Sequence, residues 1–213
     1  MKGPEREKGL SKDEYYSDQY FSMRQLCTLS HQINEIYKLN PSSILEIGIG
    51  NGFVSYFLKR SGINVCTVDI NRDLSPDIVS SIEDLPLHLA DKKFDLVVCC
   101  EVLEHLPFEY FDKSLSVFKI YSDRLFITLP RYKTWFGLSG FVRLPKIDKI
   151  FSIGFEMKRK KDMNEGHCHF WEIGSSQETS LANIKRIIEQ YYKMTRNGSF
   201  ELNRYHEFMV CDG

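Results

Sequence analysis

The amino-acid sequence predicts a doubly wound α/β fold, and three observations carry that expectation. Short apolar runs alternate with amphipathic helical segments, the rhythm of a parallel sheet covered on both faces. A glycine-rich stretch, ILEIGIGNG at 44–52, follows the first such run and leads into a helix. The last two apolar runs are joined by only a few residues, a hairpin suited to an antiparallel sheet edge. At 213 residues the chain is read as a single domain, 1–213.

Residues 1–12 read as a frayed tail, and Ser11 to Leu39 as one or two helices, because Tyr16, Tyr20, Met23, Leu26 and Leu29 fall near helical spacing. They form an N-terminal helical arm over 1–40, stopped by Pro41. The central half, 41–130, opens with a strand from Ser43 to Ile47, a helix from Asn51 to Ser61 and a strand from Asn64 to Asp69. A short strand follows from Asp77 to Ser80 and another from Phe94 to Cys100. A parallel crossover usually needs about a dozen residues, so the link between Asp69 and Asp77 must be abbreviated. A helix from about Pro107 to Tyr121 and a strand from Arg124 to Leu129 complete this half. The segment 167–213 carries a helix from about Gln177 to Tyr192 and the strand pair Gly198 to Leu202 and Tyr205 to Cys211.

With 28 basic and 29 acidic residues the charge is near neutral, which argues against a general affinity for nucleic acid or membrane surfaces. Six cysteines show no CxxC spacing, and three sit in apolar runs where a thiol acts as a small hydrophobe. The N-terminus lacks an apolar targeting segment and no run is long enough to span a membrane, so a cytoplasmic protein is expected.

Gly48, Gly50 and Gly52 at a strand-to-helix junction let backbone groups approach a ligand at the carboxyl end of the first strand. Asp69 ends the second strand about 20 residues after the loop, where a carboxylate accepts hydrogen bonds from ribose hydroxyls. The ligand should therefore contain a nucleoside. A dinucleotide loop reads G-x-G-x-x-G, whereas this one is G-x-G-x-G preceded by Glu46. An acid beside the loop suits a cation, which favours S-adenosylmethionine, with its ammonium and sulfonium, over NAD.

From Ile44 to about Pro130 the chain resembles the class I S-adenosylmethionine-dependent methyltransferases, especially the broad small-molecule group that includes enzymes of quinone biosynthesis. The resemblance rests on ILEIGIGNG, VCTVDI, SSIEDLPL, KKFDLVVCCEVLEHL and RLFITLP, in the family's order. It implies a Rossmann-like seven-stranded sheet with an antiparallel last strand and helices on both faces. Glu46, Gly48, Gly50 and Gly52 would hold the methionine end of the cofactor, Asp69 the ribose and Ile70 the adenine. Ser81 aligns where the family often has an acid for the adenine amino group, with Ile82 offering a backbone amide, and Cys100 aligns with a pocket-lining position. Arg24 in the arm is placed to pair with the cofactor carboxylate.

A sulfonium is an intrinsically reactive methyl donor, so alignment and exclusion of water are the main tasks and few catalytic side chains are required. In EVLEHL, Glu101 and His105 would share a face if that turn is helical; they either move a proton or organise the loop, while Glu104 is expected in solvent. In GHCHFWEIG, His169 is the second candidate base, with a capping or core role as the alternative. His167, Cys168 and His169 alternate along the chain and no further ligand pair is spaced to complete a tetrahedron, so no metal is expected. The absence of a [DNS]-P-P-[YF] segment and of a Pro-Cys pair after the fourth strand argues against nucleic acid as acceptor.

Residues 131–166 form a substrate-side insertion longer than a simple connection. Up to Glu165 it holds nine Lys or Arg against four Asp or Glu, and it mixes them with aromatics. A hydrophobic lid with a basic rim would suit a small-molecule, lipid-like or glycan-like acceptor with an anionic end; a solvated surface excursion is the alternative. Two other functions stay open: a non-catalytic S-adenosylmethionine-binding regulator or scaffold, and a NAD-dependent oxidoreductase.

Overall fold

The computed structural model describes residues 3–18, 20–159 and 168–213. Strands β1 (Ser43–Ile47), β2 (Asn64–Asp69), β3 (Ile78–Val79), β4 (Leu96–Cys100) and β5 (Arg124–Pro130) run parallel. Strands β8 (Lys193–Phe200) and β9 (Asn203–Asp212) complete a seven-stranded sheet in the order β3-β2-β1-β4-β5-β9-β8. β9 is antiparallel to both neighbours, pairing Arg124 with Asp212 and Pro130 with His206. The expected sheet, with its antiparallel last strand, is therefore present.

Both faces are covered, and the alternation of strand residues decides what each receives. Leu45 and Ile47 of β1 and Val97 and Cys99 of β4 face α4 (Leu85–Leu89), α5 (Tyr110–Tyr121) and α6 (Leu181–Ile188). Ile44, Leu96, Val98 and Phe126 face Ile36 of α2 (Met23–Lys38) and Val54 and Leu58 of α3 (Phe53–Arg60). Glu46 shares that second face. The abbreviated crossover is a 3-10 turn, Arg72–Leu74, capped by the Asn71 side chain accepting from Asp73 N at 3.0 Å.

Besides α4, which was not expected, and β8, which begins at Lys193 rather than Gly198, three segments differ from expectation. Residues 4–9 are not a tail: α1 (Pro4–Gly9) has Pro4 in its first turn, and its Glu7 and Leu10 carbonyls accept from the Asn71 side chain at 3.1 and 2.9 Å. A long-range tether thus orders a segment too short and too polar to be stable alone. The helix expected over Gln177 to Tyr192 shortens to α6, because Ser180 caps it by accepting from Asn183 N and the residues before it close a turn around Thr179. Within the insertion, β6 (Lys133–Leu144) and β7 (Ile147–Lys158) pair in register as a two-stranded ribbon. Arg131 joins Glu156, Ser139 donates to Glu201 O and Arg204 donates to Ser152, fastening the ribbon to the body.

Candidate active site

A cavity of about 550 Å³ opens at the carboxyl ends of β1, β2 and β4. Twelve of the sequence-predicted residues line it: Arg24, Glu46, Gly48, Gly50, Asp69, Ile70, Ser81, Ile82, Cys100, Glu101, His105 and His169. Gly52 does not; it caps α3 at φ 73°, and Asn51 stands in the wall instead. The arm supplies the roof, with Glu7, Tyr15, Tyr20, Gln25 and Gln32 all facing the cavity.

The glycine loop follows from crowding. Gly48 has φ 77°, and a Cβ there would lie 2.2 Å from Val102 Cγ2, so no other residue fits without moving the turn after β4. Asp69 holds the loop in place: its Oδ2 accepts from Ile49 N at 2.9 Å and its Oδ1 from Asn71 N at 2.8 Å. Burial raises the Asp69 pKa, while these amide donors oppose that rise. Glu46 lies beneath the loop, buried, with its Oε2 lacking a hydrogen-bond partner among the described residues. Burial pushes its carboxyl up to about 8.

At the other end, Glu101 adopts φ 58° and turns toward α2 and β9. It accepts from Gln32 Nε2 at 3.0 Å and Gln25 Nε2 at 3.4 Å, and His206 Nε2 lies 3.4 Å away. The expected pairing on one helical face does not form, because the turn is a three-residue 3-10 segment, Leu103–His105. His105 instead places Nδ1 3.2 Å from Glu7 of α1, and burial pulls its pKa down to about 4.

Glu104 also departs from expectation. It is 1% exposed and lines the cavity, because Phe170 N donates to its carbonyl at 2.8 Å and lays the 168–173 segment across it. Burial pushes its carboxyl up to about 8, and its Oε2 has no hydrogen-bond partner among the described residues.

His169 stands opposite His105, the rings edge to face with centroids 4.9 Å apart. Its Nδ1 lies 3.0 Å from Glu172 Oε1. Glu172 is fully buried and also receives the Tyr205 hydroxyl and Arg159 Nη1, the latter at 3.2 Å. Burial alone would lower the His169 pKa, but Cys168 and Glu172 bind its protonated form and push it up to about 10. Burial would likewise raise the Cys168 thiol, yet His169 pulls it below its ordinary value. His105, Cys168 and His169 each offer a ligand atom within 4.8 Å of the others, so the third donor that chain spacing did not provide comes from the turn after β4. His167 lies outside the described residues.

Glu172, Tyr205 and His206 carry this site and were not anticipated. A polar run, Tyr205-His206-Glu207, inside an otherwise apolar strand was the available signal, since buried polar residues in a sheet need partners. Of the described insertion residues, Arg159 reaches the cavity wall, while the outer ribbon does not contribute to it.

Residues 45–119 match the family described as a methyltransferase domain. A ubiquinone biosynthesis O-methyltransferase from Hydrogenovibrio crunogenus is 26% identical over 90 residues, covering 35% of this chain and 36% of that protein. The match thus spans about a third of that curated relative's length. Magnesium protoporphyrin IX methyltransferase from Synechocystis, solved with bound S-adenosylmethionine, is similar with TM-score 0.54 and 17% identity, covering 92% of this chain and 81% of that one. The N-methyltransferase NodS from Bradyrhizobium japonicum, solved with S-adenosylhomocysteine, gives TM-score 0.57 and 13% identity, covering 99% and 96%. At such identities the structural likeness speaks to fold.

Proposed function

We propose that the chain, whose residues 45–119 match a methyltransferase domain, is a class I S-adenosylmethionine-dependent methyltransferase whose cavity binds S-adenosylmethionine and moves the methyl group to a small-molecule acceptor. The observation that carries this reading is the meeting of the glycine loop, Glu46 and Asp69 in one cavity. The donor set suits the ligand. Glu46 offers a buried acceptor without a hydrogen-bond partner among the described residues, beside a backbone that no Cβ obstructs, which is what an ammonium group at the methionine end requires. Asp69 retains lone pairs beyond those given to Ile49 and Asn71, enough to accept from ribose hydroxyls. Ile70 and Ile82 supply an apolar slot for adenine, with Ser81 at its edge. Arg24 lies in the wall as a counter-charge for the carboxylate.

When bound, the cofactor supplies an electrophilic methyl group. The chain's own contribution is to align an acceptor lone pair opposite the carbon–sulfur bond and to keep water out under the arm. Glu101, held by Gln25, Gln32 and His206, and His105 and His169 surround the space where the acceptor enters. Arg159 at the rim favours an acceptor with an anionic end joined to an apolar body, and nucleic acid is not expected. A cytoplasmic location is part of the proposal. No described helix is long and apolar enough to cross a membrane, and the six cysteines are unpaired, as a reducing compartment requires.

Calorimetry with S-adenosylhomocysteine tests the binding half of this reading. Asp69→Ala should weaken binding by roughly 1–3 kcal/mol, the cost of leaving buried hydroxyls unpaired; unchanged affinity rejects the ribose assignment. Tight binding without product from any acceptor class would assign a scaffold role instead, and nicotinamide-cofactor binding would favour an oxidoreductase.

A further inference from the structure

We propose that His105, Cys168 and His169 form a zinc site at the acceptor end of the cavity, with an open coordination position facing the acceptor. Two imidazoles and a thiolate are the donor types zinc prefers, and three protein ligands plus one free position is the pattern of zinc that acts on a substrate. Their ligand atoms already lie within 4.8 Å of one another. Zinc bonds of about 2.0–2.3 Å in a tetrahedron set ligand atoms roughly 3.3–3.8 Å apart, so closure by about 1 Å completes the site. All three residues line the cavity, which directs the remaining position toward its interior.

A second observation points the same way. His169 Nδ1 is held 3.0 Å from the fully buried Glu172, whose carboxylate is itself held by Tyr205 and Arg159. A carboxylate behind an imidazole holds the Nδ1 proton, leaves Nε2 to bind the metal once zinc displaces the proton there, and orients the ring as zinc-binding histidines require. The anchoring is expensive in buried polar groups: a wholly buried carboxylate, a tyrosine hydroxyl and a guanidinium converge to position one ring. A simple capping histidine does not need this support.

The zinc site stands independently of the bound nucleoside, but its role at the acceptor rests on the methyltransferase reading. An acceptor hydroxyl in the open position would lose its proton to solvent on coordination, since the metal stabilises the oxyanion. The oxygen lone pair then forms the new bond to the methyl carbon as the carbon–sulfur bond breaks, and those electrons leave the cofactor as a neutral thioether. The acceptor class this selects is the alcohols and phenols.

The test uses the full chain stripped with a chelator and titrated with cobalt(II) and with zinc alone. One equivalent of either should bind, with a near-ultraviolet sulfur-to-cobalt charge-transfer band. Cys168→Ser should abolish that band and weaken zinc binding by roughly two orders of magnitude or more, and His105→Gln should weaken zinc similarly while sparing the band. Glu172→Gln should weaken zinc by about 10–100-fold with the band intact, a readout that a purely structural role would not move. Each variant is checked for its fold by circular dichroism and thermal unfolding, so that misfolding is recognised and the His105 and Cys168 variants back one another. Absence of stoichiometric binding by the unaltered chain, or unchanged zinc affinity in folded Cys168→Ser, overturns the site. Zinc binding without S-adenosylhomocysteine binding would sink the cofactor reading and leave the site standing.

Discussion

Glu46 is a residue whose chemistry departs far from its behaviour in water. With its carboxyl pushed from 4.5 to about 8 by burial, the folded chain keeps a proton that the unfolded chain has released. The Glu46 contribution to stability should therefore fall as pH rises from about 4.5 to about 8, and level off above, because its carboxyl binds more protons in the native state across that window. Urea unfolding followed across this range should show Glu46→Gln losing less stability than the unaltered chain; parallel curves would show that the carboxyl does not titrate as described. An incoming ammonium group reverses the preference, since it stabilises the carboxylate. Binding of S-adenosylhomocysteine near neutral pH should then release a proton, which calorimetry in buffers of different ionisation enthalpy detects. At this scale the sequence was informative where function is written locally, as in the glycines, Glu46 and Asp69 within two strands and a loop. It placed Glu104 in solvent and did not single out Glu172 and Tyr205, because their burial is created by segments distant in the chain. Phe170 closes over Glu104, and β9 brings Tyr205 to Glu172.

Among the elements, α1 and the turn after it depend on partners elsewhere. The two Asn71 bonds to the Glu7 and Leu10 carbonyls cross 64 and 61 residues of chain, and Tyr16 donates to Asn51 O at 3.0 Å. Asn71→Ala removes both bonds, leaving the Glu7 carbonyl only its Leu10 N donor, and should loosen the arm by about 1–3 kcal/mol. Hydrogen exchange should quicken across residues 3–16 while amides of β1 and β4 keep their protection; uniform change would mean that the arm and sheet unfold together. A charged six-residue helix has no apolar periodicity to reveal it, so only its tether makes it visible. The ribbon was hidden for another reason. Its turn places Lys146 at φ 70° after Pro145, a position where glycine is the usual signal. The strands β1, β2 and β5 were legible nearly to the residue, since a continuous apolar run bounded by polar turns leaves little choice in a parallel sheet.

For the molecule as a whole, the ribbon and the sheet divide the work unequally. The ribbon turns Leu138, Ile153 and Phe155 outward at 76, 72 and 62% exposure, and none of its paired residues lines the cavity. Replacing 133–158 by a short glycine-serine linker should leave S-adenosylhomocysteine affinity unchanged and reduce self-association measured by light scattering, because an exposed apolar strand pair invites contacts. A large loss of affinity would show that the ribbon shapes the cavity from a distance. The parallel sheet with a hairpin at its edge followed from the alternation of strands and helices, whereas the strand order and the ribbon's projection did not, since composition alone cannot say whether aromatics fold inward or stand free. β9 follows every other strand in the chain yet sits between β5 and β8, so β5 keeps a bare flank while the ribosome is still delivering the segments in between. The nascent polypeptide must wait for Asn203–Asp212 before its backbone groups there are satisfied, so the unfinished product stays open to sticky encounters until that stretch is free to pair.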